Sequence, residues 1–153
     1  MPKQKPQELA AALKKEGPRA VYLLHGDDGR GIERALSNIV AAALADGEDE
    51  FNSDWFSGRE SSAGEVAAAA RMLPMMADRR LVVLKRADEI KGVSRGPLLE
   101  YLEDPSPATV LVMTGPGLQV SGSSAKKDDK KLLSAAGKAG VTVEFQRPKA
   151  RQL

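Results

Sequence analysis

Apolar residues along this chain fall into five short runs, separated by polar segments that are rich in glycine, aspartate and proline. The runs that predict strands are residues 20–24, 52–56, 81–84, 109–113 and 141–145. Nearly continuous apolar runs of this length are typical of strands that are buried on both faces of a sheet. The run at 52–56 is the weakest, because it depends on Phe51, Trp55 and Phe56 with polar residues between them.

Between these runs, apolar residues recur at spacings of three and four, which is the pattern of a helix with one buried face. The predicted helices cover residues 7–15, 32–44, 62–73, 94–102 and 126–137. Ser62 and Glu65 have the spacing of a capping box at the start of the third helix, and Pro74 interrupts that helix. Strands and helices alternate, which predicts an α/β fold of three layers with a mainly parallel five-stranded sheet.

The length of 153 residues is that of one globular domain, which we assign to residues 1–145. No apolar run approaches the roughly 18 residues that a membrane helix needs, and the amino terminus lacks the pattern of a secretory signal. The absence of cysteine excludes disulfides and thiolate metal sites. These features predict a cytoplasmic protein with no membrane partner. With 23 basic and 21 acidic side chains, any surface for nucleic acid must be local.

The first strongly apolar strand leads into a glycine-rich turn and then a helix, which is the setting of a phosphate-binding P-loop. Gly26 and Gly31 have the separation of the two P-loop glycines. The next two positions carry Ile32 and Glu33, where a working loop needs a lysine for the phosphates and a hydroxyl for magnesium. The sequence therefore predicts a P-loop that has lost its chemistry, with no bound cofactor and no catalytic residue.

Three carboxylates, those of Asp27, Asp28 and Glu33, lie where the oxygens of a triphosphate would sit. Like charges at close range disfavour ATP at this position. One interpretation of Asp27 and Asp28 is that they bind a metal for phosphodiester cleavage; the favoured one is that they cap the following helix. His25 is the single histidine, and a structural role is favoured over that of an active-site base. We therefore predict no metal site.

Several segments together resemble the delta subunits of the bacterial DNA polymerase III clamp loader. The matching segments are residues 21–28, 51–52, 73–87 and 102–112, which occur in the expected order. The resemblance implies a domain of the AAA+ type, with a P-loop NTPase-like fold, that does not turn over ATP. It also implies a non-catalytic component of the DNA polymerase III holoenzyme, which agrees with the degenerate loop.

The resemblance implies that an apolar pair after the third helix enters a hydrophobic pocket on the ring-shaped sliding clamp. On this sequence the pair is Met75 and Met76, with Leu73 and Pro74 beside it. Five consecutive apolar residues at a helix end exceed what one inward-facing stripe can bury, and methionine adapts well to another protein's pocket. The alternative is that both methionines fill the core. Clamp-binding motifs often begin with glutamine, whereas the corresponding position lies near Arg71.

A second group of residues is considered as a possible DNA or partner contact. It comprises Lys126, Lys127, Lys130 and Lys131, which form a basic stripe at helical spacing, and the pair Arg79 and Arg80. Asp128 and Asp129 interrupt the stripe, which favours an ordinary solvated helix face. The two arginines either anchor the apolar turn or form salt bridges only. We expect DNA contact to be indirect or weak.

The resemblance further implies that a small helical domain and a collar domain follow, with residues 146–153 as the start of the linker. Those domains would join the other clamp-loader subunits. Two functions are therefore weighed: a non-catalytic subunit that binds and opens the sliding clamp, and a P-loop-like nucleotide- or metal-dependent enzyme that uses Asp27, Asp28 or Glu33. The missing lysine and hydroxyl argue against the enzyme.

Overall fold

The computed structural model describes residues 3–44, 52–119 and 127–147. The strands in this part of the chain are β1 Lys3–Gln4, β2 Val21–Gly26, β3 Ser53–Ser57, β4 Arg80–Lys85, β5 Thr109–Gly115 and β6 Val141–Phe145. The helices are α1 Pro6–Glu16, α2 Gly29–Ala43, α3 Ala63–Arg71, α4 Gly96–Glu103 and α5 Lys127–Ala139. Short 3₁₀ turns cover Ala87–Glu89 and Gly92–Ser94.

The described strands form one sheet in the order β1-β6-β2-β5-β4-β3, and each of their pairings is parallel. The prediction of a mainly parallel sheet built from five apolar runs is confirmed. The two-residue strand β1 was not predicted, because it is too short to show any periodicity. Since the strands are parallel, their amino ends lie along one end of the sheet and their carboxyl ends along the other.

Helices cover both faces of the sheet, as predicted. Alternate residues of each strand face opposite sides, so Leu23 lies in one core and its neighbour Leu24 in the other. The first core is closed by α3, α4 and α5, and the second by α1 and α2. The result is the predicted three-layer architecture, with the four strands β2, β4, β5 and β6 buried between the helices.

The helix boundaries differ from the predicted ones where tertiary contacts intervene. The capping box is confirmed: Ser62 Oγ accepts a hydrogen bond from Glu65 N at 3.1 Å, and Glu65 Oε1 accepts one from Ser62 N at 2.8 Å. However, α3 ends at Arg71, short of the predicted residue 73. The fourth helix starts later than predicted, at Gly96, after a separate 3₁₀ turn. None of the described helices is long and apolar enough to cross a membrane.

Candidate functional site

The segment that leaves α3 exposes a row of apolar side chains, and we call residues 72–76 the apolar loop. Leu73 is 77% exposed, Met75 is 62% exposed and Met76 is 102% exposed. Met72 is also exposed, whereas Pro74 is only partly so. The interpretation that both methionines fill the core is therefore wrong. The loop lies at the amino end of the sheet, between α3 and the first residue of β4.

The backbone of the apolar loop is tied to the domain through Asn52, which is 1% exposed. Met75 N donates a hydrogen bond to Asn52 Oδ1 at 2.6 Å, and Asn52 Nδ2 donates one to Met75 O at 2.8 Å. The buried amide thus pairs with both polar groups of one residue, as a neighbouring strand would. Met76, which follows, has the left-handed backbone angle φ 57°. This change of direction carries its side chain into solvent.

The carboxyl end of α3 is held by side chains from two strands. The carbonyl oxygen of Ala69 accepts a hydrogen bond from Arg80 Nε at 2.9 Å, and that of Ala70 accepts one from Thr109 Oγ1 at 2.8 Å. Both side chains are buried. Because the last carbonyls of the helix are satisfied in this way, no glycine cap is needed. Met72 then leaves in an extended conformation with ψ 143° and starts the apolar loop.

Arg80 is 4% exposed and serves the interior of the domain. Its guanidinium forms a close ion pair with Asp54 of β3 and lies 3.8 Å from Met72 Sδ. Of the two roles weighed for Arg80, that of anchoring the apolar loop therefore agrees with the geometry. A contact between Arg80 and DNA or another protein does not, since the side chain is buried. Arg79 is partly exposed.

The glycine-rich turn lies at the opposite, carboxyl end of the sheet. Gly26 has φ 112°, and a Cβ there would lie 2.1 Å from the carbonyl oxygen of Phe145, so only glycine fits. Asp28 Oδ1 accepts a hydrogen bond from Gly31 N at 3.1 Å, which makes Asp28 the cap of α2 as favoured from the sequence. Asp27 does not cap the helix; its Oδ1 accepts a hydrogen bond from Arg147 N at 2.7 Å.

The two positions that replace the P-loop lysine and hydroxyl are used for other purposes. Ile32 is 2% exposed and belongs to the core between the sheet and α1 and α2. Glu33 is exposed and forms an ion pair with Lys85 at 3.1 Å. His25, just before the turn, is buried at 6% exposure. Within the described residues, no group of three or more histidine and acidic side chains is arranged to hold a metal ion.

The basic stripe on α5 is only partly described, since Lys126 lies outside the described residues. Lys127, Lys130 and Lys131 are exposed. Asp129 does not interrupt the stripe at the surface as expected, because it is buried and forms an ion pair with Arg95 at 2.9 Å. The favoured prediction of an ordinary solvated helix face, with DNA contact as the alternative, stays a prediction.

Arg71, where clamp-binding motifs often carry glutamine, lies over an aromatic ring. Its guanidinium carbon is 5.6 Å from the centre of the Tyr101 ring, within cation–π range. Burial raises the pKa of Tyr101 above the ordinary value for a phenol, and burial likewise raises the pKa of Tyr22. Both hydroxyls therefore stay neutral at physiological pH and accept backbone hydrogen bonds, from Ser106 N and Arg19 N respectively.

Sequence reasoning missed two residues that position the apolar loop, Asn52 and Thr109. The sequence places each of them at the start of a predicted strand and within a segment that resembles the delta family, but indicates no anchoring role for either. Thr109 opens the buried strand β5, and a polar residue at such a position is a usable signal because it must find a hydrogen-bond partner there. Asn52 precedes the less buried strand β3, so the signal is weaker there. The sequence does not show that the partners are the loop and the preceding helix.

A parallel sheet with helices on both faces, and a glycine turn between its first long strand and a helix, are the features of a P-loop-like α/β domain. The solved structures that it matches in fold assign this domain to the AAA+ type. The chain resembles in fold a solved DNA polymerase III gamma subunit-related protein from Thermotoga maritima, with a TM-score of 0.62 and 12% identity over 95% of this chain and 47% of that one. RuvB from the same organism matches with a TM-score of 0.52 and 21% identity over 90% of this chain and 41% of that one.

The family model described as DNA polymerase III, delta subunit, matches residues 22–137, and the chain belongs to this family. It is 27% identical over 149 residues to DNA polymerase III subunit delta of Bacillus subtilis, covering 92% of this chain and 41% of that protein. The solved Bacillus subtilis clamp loader delta protein matches with a TM-score of 0.75 and 25% identity, over 92% of this chain and 42% of that one. The chain thus spans less than half the length of these relatives.

Proposed function

We propose that this domain binds the sliding clamp of DNA replication through the apolar loop and acts as the non-catalytic, clamp-opening part of a clamp-loader delta subunit. Family membership supplies the functional context for this proposal. The observation that carries it is the exposure of Leu73, Met75 and Met76 on one anchored turn. Monomeric proteins seldom leave such a group of large apolar side chains in water unless another protein covers it.

The energetics of the apolar loop suit a protein contact. Full burial of a methionine or leucine side chain contributes about 1.5–3 kcal/mol, so the exposed group can supply most of a moderate affinity. The two hydrogen bonds between Asn52 and Met75 hold the loop before binding, which lowers the entropy lost on docking. Pro74 restricts the backbone further. The loop therefore presents its methionines with little further loss of conformational entropy on binding.

Clamp opening in this proposal is mechanical. A loop that binds the open clamp more tightly than the closed one shifts the clamp towards the open form, by an amount set by the difference in affinity. ATP would act through other subunits of a clamp loader, and those subunits would bind segments outside this domain. We infer that residues 146–153 begin the linker to those segments.

The rival function, a nucleotide- or metal-dependent enzyme, finds little support in the glycine turn. The carboxylate of Asp28 already accepts the hydrogen bond from Gly31 N, a backbone donor that a P-loop would offer to phosphate. The side chain of Ile32 is buried in the core, and Glu33 is paired with Lys85. These residues stabilise the turn itself and leave no group for phosphoryl transfer.

The direct test is a calorimetric titration of a bacterial sliding clamp with this chain and with the double variant Met75→Ala/Met76→Ala. We expect the original chain to bind and the double variant to lose at least tenfold in affinity, about 1.4 kcal/mol, because the apolar contact is removed. A matched control is Val93→Ala, which shortens an apolar side chain that is 91% exposed elsewhere on the domain. It should bind like the original chain.

Equal binding by the double variant and the original chain would reject the apolar loop as the contact. Absence of binding by every variant would reject clamp binding by this domain. Circular dichroism of each variant verifies that the fold is retained, and the exposure of both methionines makes unfolding an unexpected result.

A further inference from the structure

A second surface, independent of the apolar loop, lies at the carboxyl end of the sheet. An open groove of about 1500 Å³ runs between α2 and the outer strand β3. Six basic side chains line it against three carboxylates: Arg30, Arg34, Arg59, Lys85, Arg86 and Arg147, against Asp28, Glu33 and Glu60. The groove therefore carries an excess of positive charge, although the whole chain is nearly balanced.

Part of this charge is neutralised inside the groove and part is not. Lys85 pairs with Glu33, as described above. Arg30, Arg34 and Arg147 are exposed and form no ion pair with any residue in the described part of the chain. Three guanidinium groups are thus available to an anionic ligand, and a guanidinium binds phosphate oxygens through two parallel hydrogen bonds.

An exposed aromatic ring lines the same groove as these arginines. Trp55 is 54% exposed and pairs in register with Val83, so it faces the same side of the sheet as α2. Arg30, Arg34 and Ser37 recur at spacings of four and three, which places them on one stripe of α2 about 10 Å long. A cationic ridge next to a free aromatic face is the combination that binds single-stranded nucleic acid.

We propose that this groove binds a short segment of single-stranded nucleic acid. Arg30, Arg34 and Arg147 contact successive phosphates, and a base stacks on the indole of Trp55. A duplex does not satisfy this site, because its bases are already stacked on one another. A free nucleoside triphosphate also carries phosphates and a base, so it is the competing ligand that the test must separate from a single strand. The apolar loop lies at the other end of the sheet, so the two surfaces can be tested separately.

The test uses Trp55 itself, the one tryptophan of the chain, as the probe. A short oligothymidylate is titrated into the protein at low salt, and quenching of the indole fluorescence is recorded. We expect saturable quenching, and an affinity that falls with salt by about 0.7 logarithmic units per unit of log salt for each phosphate contact. The variant Arg30→Gln/Arg34→Gln should bind about tenfold more weakly, with a salt slope shallower by about 1.4.

The matched control is Lys14→Gln/Lys15→Gln, which removes the same charge from exposed positions on α1. It should bind like the original chain. With a labelled oligonucleotide and fluorescence anisotropy, Trp55→Phe should retain binding and Trp55→Ala should lose it, because phenylalanine keeps a stacking face.

Four outcomes would each overturn the proposal. The first two are the absence of quenching by the oligothymidylate and an equal loss of affinity in the arginine and lysine variants. The third is full binding by Trp55→Ala. The fourth is quenching by a duplex, ATP or polyglutamate at the concentration that is effective for the single strand. None of these measurements involves the clamp, so their failure leaves the proposed function of the apolar loop untouched.

Discussion

The two ends of the parallel sheet use the same kind of contact for opposite purposes. At the amino end, Asn52 and Arg80 are buried and donate hydrogen bonds to the backbone of the apolar loop and of α3. At the carboxyl end, Asp27 and Asp28 accept hydrogen bonds from the backbone of their own turn and of the segment after β6. In both places, side-chain groups satisfy backbone groups that a regular strand or helix leaves open.

The outcome differs because of what remains exposed. At the amino end the polar groups are directed inwards, and the apolar side chains of Leu73, Met75 and Met76 are left in water. At the carboxyl end the turn is satisfied by its own carboxylates, and the position of the P-loop lysine is occupied by the buried Ile32. A turn that satisfies itself offers nothing to a triphosphate, whereas an anchored loop with apolar side chains offers a contact to a protein.

The largest effect is expected from Arg80→Met, which removes the anchor at the amino end. The carbonyl of Ala69 loses its side-chain donor and keeps only the hydrogen bond from Met72 N, and Asp54 loses its ion pair. Because a buried charged hydrogen-bond donor is removed, we expect a loss of about 3 kcal/mol in the free energy of unfolding. Urea denaturation measures it. The neighbouring change Arg79→Met is the control and should cost less than about 0.5 kcal/mol. Equal losses of unfolding free energy in Arg80→Met and Arg79→Met would contradict the anchoring role of Arg80.

The next effect concerns the carboxyl end of the sheet. The double variant Ile32→Lys/Glu33→Thr restores the residue types of the P-loop sequence pattern. We expect no binding of magnesium ATP by calorimetry and a loss of about 2 kcal/mol in stability, because the lysine enters a site that is 2% exposed. Glu33→Thr alone removes only the exposed ion pair with Lys85 and should cost less than about 1 kcal/mol. Micromolar ATP binding by the double variant would show that the glycine turn at the carboxyl end still accepts a triphosphate, and the stated difference between the two ends would be wrong.

A smaller effect is expected from Asn52→Ala, which releases the apolar loop without changing any exposed apolar residue. Two hydrogen bonds to Met75 are lost, so stability should fall by about 1.5 kcal/mol. Clamp affinity should fall about tenfold, because the freed loop must be ordered on binding. Hydrogen exchange of the Met75 amide should become faster.

The control for this variant is Asn38→Ala, which makes the same change at an exposed position on α2. It should leave the Met75 amide unaffected and raise stability slightly, by about 0.5 kcal/mol, because alanine favours the helix more than asparagine does. Unchanged exchange at Met75 in Asn52→Ala would contradict the anchoring role of Asn52.

Much of this fold was readable from local patterns, and the reasons are physical. The strongly apolar runs predicted β2, β4 and β5 because strands that are buried on both faces tolerate few polar residues. The boundary of α3 was misplaced because its end depends on Arg80 and Thr109, which reach it from strands that come later in the chain. Asp129 was expected at the surface, yet it is buried because Arg95 neutralises it.

The sequence by itself determined the order of strands and helices, the loss of the P-loop chemistry and the excess of apolar residues after α3, since each depends on residue types at short spacings. Only the tertiary structure decided that Met75 and Met76 face solvent, that Asn52 holds their loop in place, and that Trp55 lines the same groove as the arginines of α2. These facts depend on contacts between residues that are distant in the chain, and such contacts leave no local pattern.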